Sequence, residues 1–147
     1  MTTRYFPRDR KGGTPFRSKA DGFNRAVRHW VCQSCRAVYT AKHAQCRCGH
    51  KVLYYFASGT EFRRFCQLAA RLDRGMIDDL VLQKNYPVEI NGALIFTYRA
   101  DFVYLDKGSA RTIIEDAKPK RFRDPLYMIK KKAVEAYHHI TITEVEA

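Results

Sequence analysis

Two groups of side chains in this sequence have the types and spacing to do metal chemistry. The first is Asp101, Asp116 and Lys118. Residues 93–118 read as two β-strands joined at Asp106-Lys107-Gly108-Ser109, a turn-forming cluster with Gly where positive φ is needed. The strands are rich in aromatic and β-branched residues, yet they carry acids. Burying an acid in a central strand costs on the order of several kcal/mol unless a cation or a partner compensates it. Side chains alternate faces along a strand, so Asp116 and Lys118 share one face. With Lys107-Gly108 as the loop residues, Leu105 pairs with Ala110 and Asp101 lies opposite Ile114. Asp101 is then diagonal to Asp116 on the same face, roughly 7–8 Å away. Two carboxylates and a lysine converge, which outlines a divalent-cation site. A one-residue slip would bring Glu115 to that face and carry Asp116 and Lys118 away.

The second group is Cys32-x-x-Cys35 followed, after ten residues, by Cys46-x-Cys48-Gly49. Four thiolates in two short pairs suit tetrahedral Zn²⁺. A full protein shell leaves no position open for water, so the ion would be structural. Free or redox-active thiols are the competing reading, and His43 or His50 could replace a cysteine as ligand. Cytosolic redox conditions argue against disulfides. Val31, Val38-Tyr39 and residues 52–56 read as short flanking strands, which makes residues 29–56 a zinc ribbon.

Around the acids the sequence resembles a known family. Asp101 followed by Asp116-x-Lys118 is similar to the signature of the PD-(D/E)XK nucleases. Ser58-x-x-Glu61, Gln83, Ala100-Asp101-Phe102, Glu115-Asp116-x-Lys118 and Lys130-x-Lys132 resemble phage-type Holliday junction resolvases over about residues 57–147. Pro119 departs from the Gly usual after the lysine, and the cysteine-rich segment ahead of the core is a further departure. The resemblance implies a restriction-endonuclease-like αβββαβ core of the α/β (α+β) class. It implies Mg²⁺ or Mn²⁺ at Asp101 and Asp116 with Glu61 as a third ligand, Lys118 beside the attacking water, and Lys130 as a further catalytic cation. It also implies a homodimer, since two strands of a four-way junction are cut in pairs.

The elements that must position these groups follow in order. Residues 58–74 read as a helix with an apolar stripe at Phe62, Phe65, Leu68, Ala69 and Leu72, and Ser58-x-x-Glu61 has capping-box spacing. Glu61 is therefore open to two readings, helix cap or metal ligand. Cys66 reads as a packed thiol. Residues 76–80 read as a connector with a solvated Asp78-Asp79, residues 81–90 as an opening strand, and Asn91-Gly92 as a hairpin turn. Asp124-Pro125 is an N-cap followed by proline at the first helical position. That helix runs to about His138, with Leu126, Ile129, Ala133, Val134 and Tyr137 facing the core, and His138-His139 frays its end. Residues 140–145 alternate cleanly and close the sheet.

Composition bears on the partner. The 147 residues carry a formal charge of +12, which points to a polyanion. Residues 1–28 hold eight Lys/Arg against two acids, residues 29–56 four against none, and residues 57–147 fifteen against thirteen. The excess lies ahead of the core, in an extended arm (1–28) and the ribbon (29–56). Arg8, Arg10, Lys11 and Arg17 of the arm, Arg36 and Lys42 of the ribbon, and Lys120, Arg121 and Arg123 beside the acids are the expected phosphate contacts. Tyr54, Tyr55 and Phe56 could stack on unpaired bases, although packing claims two of them more readily. No stretch approaches the ~20 apolar residues of a membrane span. The N-terminus lacks a signal-peptide pattern, so a bacterial or infected-host cytoplasm is the expected setting.

The function expected is metal-dependent cleavage of DNA phosphodiesters, on Holliday junctions or other branched DNA. A non-catalytic zinc-ribbon nucleic-acid binder and a nickase or RNA nuclease of the same fold are the alternatives.

Overall fold

The computed structural model describes residues 28–118 and 124–146. Arg8, Arg10, Lys11 and Arg17 of the arm, and Lys120, Arg121 and Arg123, lie outside the described residues. The chain is mixed α+β and divides into two units, Met1–Gly59 and Thr60–Ala147.

In the first unit, β1 (His29–Cys32) lies between β2 (Val38–Tyr39) and β3 (Leu53–Phe56), antiparallel to both. Val31, Cys32 and Phe56 are fully buried, which is the core a sheet of three such short strands can form. Each cysteine pair sits in a tight turn. The Arg36 amide donates to Cys32 O (2.8 Å) and the Gly49 amide to Cys46 O (2.9 Å). The residue after each pair takes positive φ, 61° at Arg36 and 91° at Gly49. Glycine takes that conformation without a Cβ penalty; Arg36 bears it.

The second unit runs α1 (Gly59–Asp73), β4 (Ile77–Ile90), β5 (Ala93–Asp106), β6 (Arg111–Ala117), α2 (Pro125–His138) and β7 (Ile142–Val145). This is the expected αβββαβ order. The sheet order is β4-β5-β6-β7. β7 is parallel to β6, a pairing that needs a crossover, and α2 supplies it.

Asn91 and Gly92 both take positive φ and close the β4–β5 hairpin with Ile90 opposite Ala93, as a type I′ turn requires. Most of the expected connector at 76–80 is instead the start of β4, which begins at Ile77. Ile77 and Asp78 pair with Asp106 and Leu105, and pairing resumes at Val81 after a bulge. Asp79, at φ 53°, absorbs the extra residue, so two consecutive acids do not end the strand.

The second hairpin differs from the expected one by two residues. Asp106 pairs with Arg111, leaving a four-residue loop, Lys107–Ala110. The Asp106 carboxylate accepts from the Ser109 amide (2.9 Å) and hydroxyl (2.8 Å), which widens the turn. The positive-φ residue is Ala110 rather than Gly108. A shift of two preserves the face of every side chain, so Asp101 stays with Asp116 but comes directly opposite it.

The Asp124 cap forms, its carboxylate accepting from the Leu126 amide at 3.0 Å. The helix behind it is rotated from the expected orientation. Leu126, Ile129 and Tyr137 are exposed, 57%, 66% and 47%, and Val134 is buried in the core with Tyr86, Val88, Tyr98, Ala100, Val103, Ile114 and Ile142. Tyr127, Lys131, Val134 and His138 form the inward face at i, i+4, i+7 and i+11. His138 does not fray, because its Nε2 lies 2.7 Å from Pro87 O. The left-handed residue that ends the helix is His139. In α1, Phe65 and Leu68 are buried as expected, whereas Cys66 is exposed rather than packed.

Candidate active site and metal centre

Strand β6 places consecutive acids on opposite faces of the sheet, and each meets a different helix. Glu115 faces α1. Arg64 holds it with Nε to Oε2 at 2.8 Å and Nη2 to Oε1 at 2.7 Å, and the Tyr104 hydroxyl donates at 2.5 Å. Asp116 faces α2, where the Tyr127 hydroxyl donates to Oδ2 at 2.9 Å. The Tyr98 hydroxyl donates to the same oxygen.

Asp101 and Asp116 interlock across β5 and β6. The Asp101 amide donates to Asp116 Oδ1 at 3.3 Å, and the Ala117 amide donates to Asp101 Oδ2 at 2.8 Å. Lys118 Nζ lies 3.7 Å from Asp101 Oδ2, with the lysine anchored by its amide to Val145 O (3.0 Å). No hydrogen bond among the described residues uses Asp101 Oδ1. Only 8% of Asp101 and 1% of Asp116 is exposed. Burial pushes both carboxyls up from the ordinary range, opposed in each case first by the Lys118 charge.

Glu61 lies in the first turn of α1 and joins this group electrostatically. Burial, then repulsion from Asp101, pushes its carboxyl up to about 7, against the attraction of Lys118 and Arg99. Lys130 is not in the group. Its ammonium sits over the Phe96 ring, 5.6 Å from the centroid. Its neighbour Lys131 reaches the acids instead, 2.9 Å from Glu144 Oε1, and its charge acts on Asp116.

The register explains the convergence. Leu82 pairs with Phe102 and Lys84 with Ala100, which brackets Gln83 opposite Asp101. Phe102 pairs with Glu115, which places Asp101 opposite Asp116, and Asp116 pairs with Glu144. Gln83, Asp101, Asp116 and Glu144 thus form one row across all four strands. Gln83 takes positive φ, 49°. A non-glycine residue held there costs on the order of 1–3 kcal/mol and is common where a site distorts its scaffold. At the same place the side-chain alternation of β5 breaks. Tyr98 and Ala100 share a core with Val103, although regular alternation would put them on the other face.

Five residues of this neighbourhood were not singled out by sequence: Tyr98, Arg99, Tyr127, Lys131 and Glu144. The i, i+4 spacing of Tyr127 and Lys131 was a usable signal. Tyr98 carried none, because regular alternation points it away from Asp101.

In the first unit the four sulfurs of Cys32, Cys35, Cys46 and Cys48 lie within 4.8 Å of one another. Cys32 and Cys48 are 3.6 Å apart and Cys35 and Cys46 3.4 Å. A tetrahedron with Zn–S bonds of about 2.3 Å has S–S edges of roughly 3.8 Å, so the quartet can hold a metal ion such as zinc. A disulfide would need about 2.05 Å. Burial pushes the Cys46 thiol up, but the Cys48 amide, the Tyr39 hydroxyl and the neighbouring thiols outweigh it and bring it down to about 6. Burial drives Cys35 up to about 12. A divalent cation resolves such uneven titration by binding all four as thiolates. His50 Nδ1 is engaged with the Val52 backbone, and the His43 ring lies 4.6 Å from the Tyr39 ring, tilted by 49°; neither joins the quartet. Of the expected phosphate contacts in this unit, Lys42 is exposed and Arg36 is half-buried in its turn.

Among the described residues, the cysteine quartet is the only set of three or more ligand atoms drawn that close. Glu61, Asp101 and Asp116 form a looser group. Mg²⁺ is compatible with that, because it is commonly bound through one or two carboxylates and keeps several waters. The donors are hard oxygens, Asp101 Oδ1 is available, and burial already disfavours the charged carboxylates despite Lys118 and the hydrogen bonds. No helix among the described residues is long and apolar enough to cross a membrane. No family model matches this chain, nor does any curated protein or solved structure.

Proposed function

We propose that the second unit is a PD-(D/E)XK-type endonuclease that hydrolyses DNA phosphodiesters with Mg²⁺ or Mn²⁺, acting on branched DNA as a homodimer. One observation carries the reading: Asp101 and Asp116, both buried, interlock across adjacent strands with Lys118 3.7 Å from Asp101. The αβββαβ order and the αβ-face separation of Glu115 from Asp116 also support it.

In this reading Asp101, Asp116 and Glu61 would hold the metal. The bound ion would lower the pKa of a coordinated water and neutralise charge on the phosphoryl oxygens. Asp101 Oδ1 is the free ligand atom. The tyrosine hydroxyls of Tyr98 and Tyr127 fix Asp116 so that it need not reorganise when a cation arrives. Lys118 orients the attacking water and offsets charge as the phosphorus becomes five-coordinate. The water oxygen bonds to phosphorus as one of its protons passes to solvent, the bond to the 3′ oxygen breaks, and that oxygen takes a proton from solvent, leaving a 5′-phosphate and a 3′-hydroxyl. Lys131 balances Glu144 at the edge of the site. The ribbon, with a structural zinc, and the basic arm supply the positive surface that a core of nearly balanced charge lacks.

The test is Mg²⁺-dependent cleavage of matched junction, flap, duplex and single-stranded DNA. Asp101→Ala and Lys118→Ala should each retain binding and lose cleavage by at least about a hundredfold, the scale of a lost electrostatic contact in a transition state. Binding without turnover by the unaltered protein on every substrate, with Mg²⁺ or Mn²⁺, would favour the non-catalytic nucleic-acid binder instead.

A further inference from the structure

We propose that the ribbon itself carries a pocket for an unpaired nucleobase of single-stranded DNA, built on Trp30 and Tyr55 and ringed by Arg28, Lys42 and Lys51. These residues, with His43, Ala44 and Leu53, line a concavity of about 540 Å³, within the range of roughly 300–1,000 Å³ typical of small-ligand pockets. This inference shares the nucleic-acid reading of the charge with the proposal above, but it does not depend on catalysis.

The register builds the platform. Trp30 pairs with Tyr39 on one side and Tyr55 on the other, so three aromatic rings form a row on one face of the three-stranded sheet. The Trp30 and Tyr55 rings lie 5.0 Å apart, tilted by 39°. Tyr39 is spoken for: its hydroxyl contacts Cys46 Sγ at 3.2 Å and accepts from the Arg47 amide at 3.1 Å. Tyr55 is 39% exposed. Phe56, next to it and on the opposite face of the strand, is fully buried.

Charge selects the occupant. Three cations line the concavity, and residues 28–59 contain no acid. A peptide or apolar ligand would not require that field, whereas a stacked base carries a phosphate on either side of its sugar. Every base presents a π-face, so the pocket would accept an unpaired base of any sequence but not one stacked inside a duplex. It thereby gives the protein a preference for DNA with open bases.

Trp30 is the only tryptophan in the chain, so its fluorescence reports this pocket directly. The experiment titrates the full-length, zinc-loaded Asp101→Ala protein with oligo(dT), without Mg²⁺, following Trp30 emission and, in parallel, the anisotropy of labelled oligo(dT) and of a blunt duplex. Saturable quenching is expected at the concentration where anisotropy rises. Tyr55→Ala should weaken oligo(dT) binding about tenfold with duplex binding changed less than twofold, and Tyr55→Phe should restore it, since stacking needs the ring and not the hydroxyl. Zinc content serves as the folding control. Binding of oligo(dT) without any change in Trp30 emission would overturn the proposal. So would an equal loss on both DNAs in a zinc-replete Tyr55→Ala protein. A protein that proved unable to cleave DNA would leave the quenching intact, so the two readings fail separately.

Discussion

Glu115 is the acid whose removal should damage the fold rather than the chemistry. Its carboxylate is 3% exposed and receives two hydrogen bonds from Arg64 and one from Tyr104. Removing one partner of a buried ion pair costs about 3–5 kcal/mol, because the other charge is left uncompensated. In Glu115→Ala the stranded group is Arg64, whose side chain is 16% exposed and keeps a bond to Gln67 Oε1 at 2.9 Å. That places the loss near the lower bound, about 3 kcal/mol, with the buried Tyr104 hydroxyl also losing its acceptor. In Arg64→Ala the stranded group is the more deeply buried carboxylate, with Tyr104 as its remaining partner, so the loss should be larger, about 4–5 kcal/mol. Replacing both by leucine should be less harmful than either single change, because no buried charge is then orphaned. For a unit of 88 residues (60–147), each kcal/mol moves the thermal midpoint by about 4–8 °C, so Glu115→Ala should drop it by roughly 12–24 °C. Thermal unfolding of the zinc-loaded protein with the three variants measures this. Below the lowered midpoint, Glu115→Ala should still cleave DNA. Single-variant losses under about 1 kcal/mol, or additive losses in the double variant, would mean that the pair is solvated and that β6 is not held against α1 as described.

Other consequences can be checked in the same preparations. Without Mg²⁺, a Glu61 carboxyl held near 7 in the folded protein and near its ordinary value of 4.5 unfolded binds a proton on folding; stability should therefore fall as pH rises from about 4.5 to 7. Glu61→Gln should flatten that slope in thermal midpoints measured at fixed zinc, and an unchanged slope would place Glu61 in solvent. Lys131→Ala should slow cleavage about tenfold or more while Lys130→Ala stays within about twofold, since only Lys131 balances an acid beside Asp116; the reverse ranking in single-turnover rates would restore Lys130 to the site. Protein purified without added metal should contain close to one zinc per chain by elemental analysis, and Cys32→Ser should lose it along with the β1–β3 pairing seen by amide exchange.

Legibility in the sequence tracked how local the determining interactions are. The hairpin turn at Asn91-Gly92 and the Asp124 cap depend on residues within four positions of one another, and both appear where expected. The face shared by Asp101 and Asp116 was also legible, because an error of two residues in register leaves parity intact. The register itself was not, since it depends on hydrogen bonds from Ser109 to Asp106 that a Lys-Gly turn signal does not disclose. The rotation of α2 was hidden for a different reason. Its apolar residues at 126, 129 and 137 suggested the inward face, but the acids of the sheet recruit Tyr127 and Lys131 instead, and polar partners outweigh a thin apolar stripe. Gln83 shows the limit most clearly: nothing in a run of strand-forming residues marks the one that takes positive φ.

The same distortion bears on why the acids can sit in a sheet at all. An ideal strand would alternate Tyr98, Ala100 and Phe102 on one face with Asp101 on the other, leaving Asp116 without the Tyr98 hydroxyl. The break at Asp101, opposite the strained Gln83, turns Tyr98 toward Asp116. Asp116 then receives two tyrosine hydroxyls and a backbone amide, which offset part of the cost of burying it. Asp101 is treated differently. It gains a backbone amide and a lysine at 3.7 Å on one oxygen, and its other oxygen has no hydrogen bond among the described residues. One acid is thus satisfied by fixed donors and the other is left short of them, a division expected where a rigid ligand and an open coordination position are both required. Glu115, one residue away, lies on the opposite face, where Arg64 and Tyr104 fill its oxygens and Arg64 already supplies its counter-charge. Strand parity, set by a four-residue loop that Asp106 and Ser109 hold in shape, decides which of the two neighbouring acids pairs with Arg64 and which faces the proposed cation site.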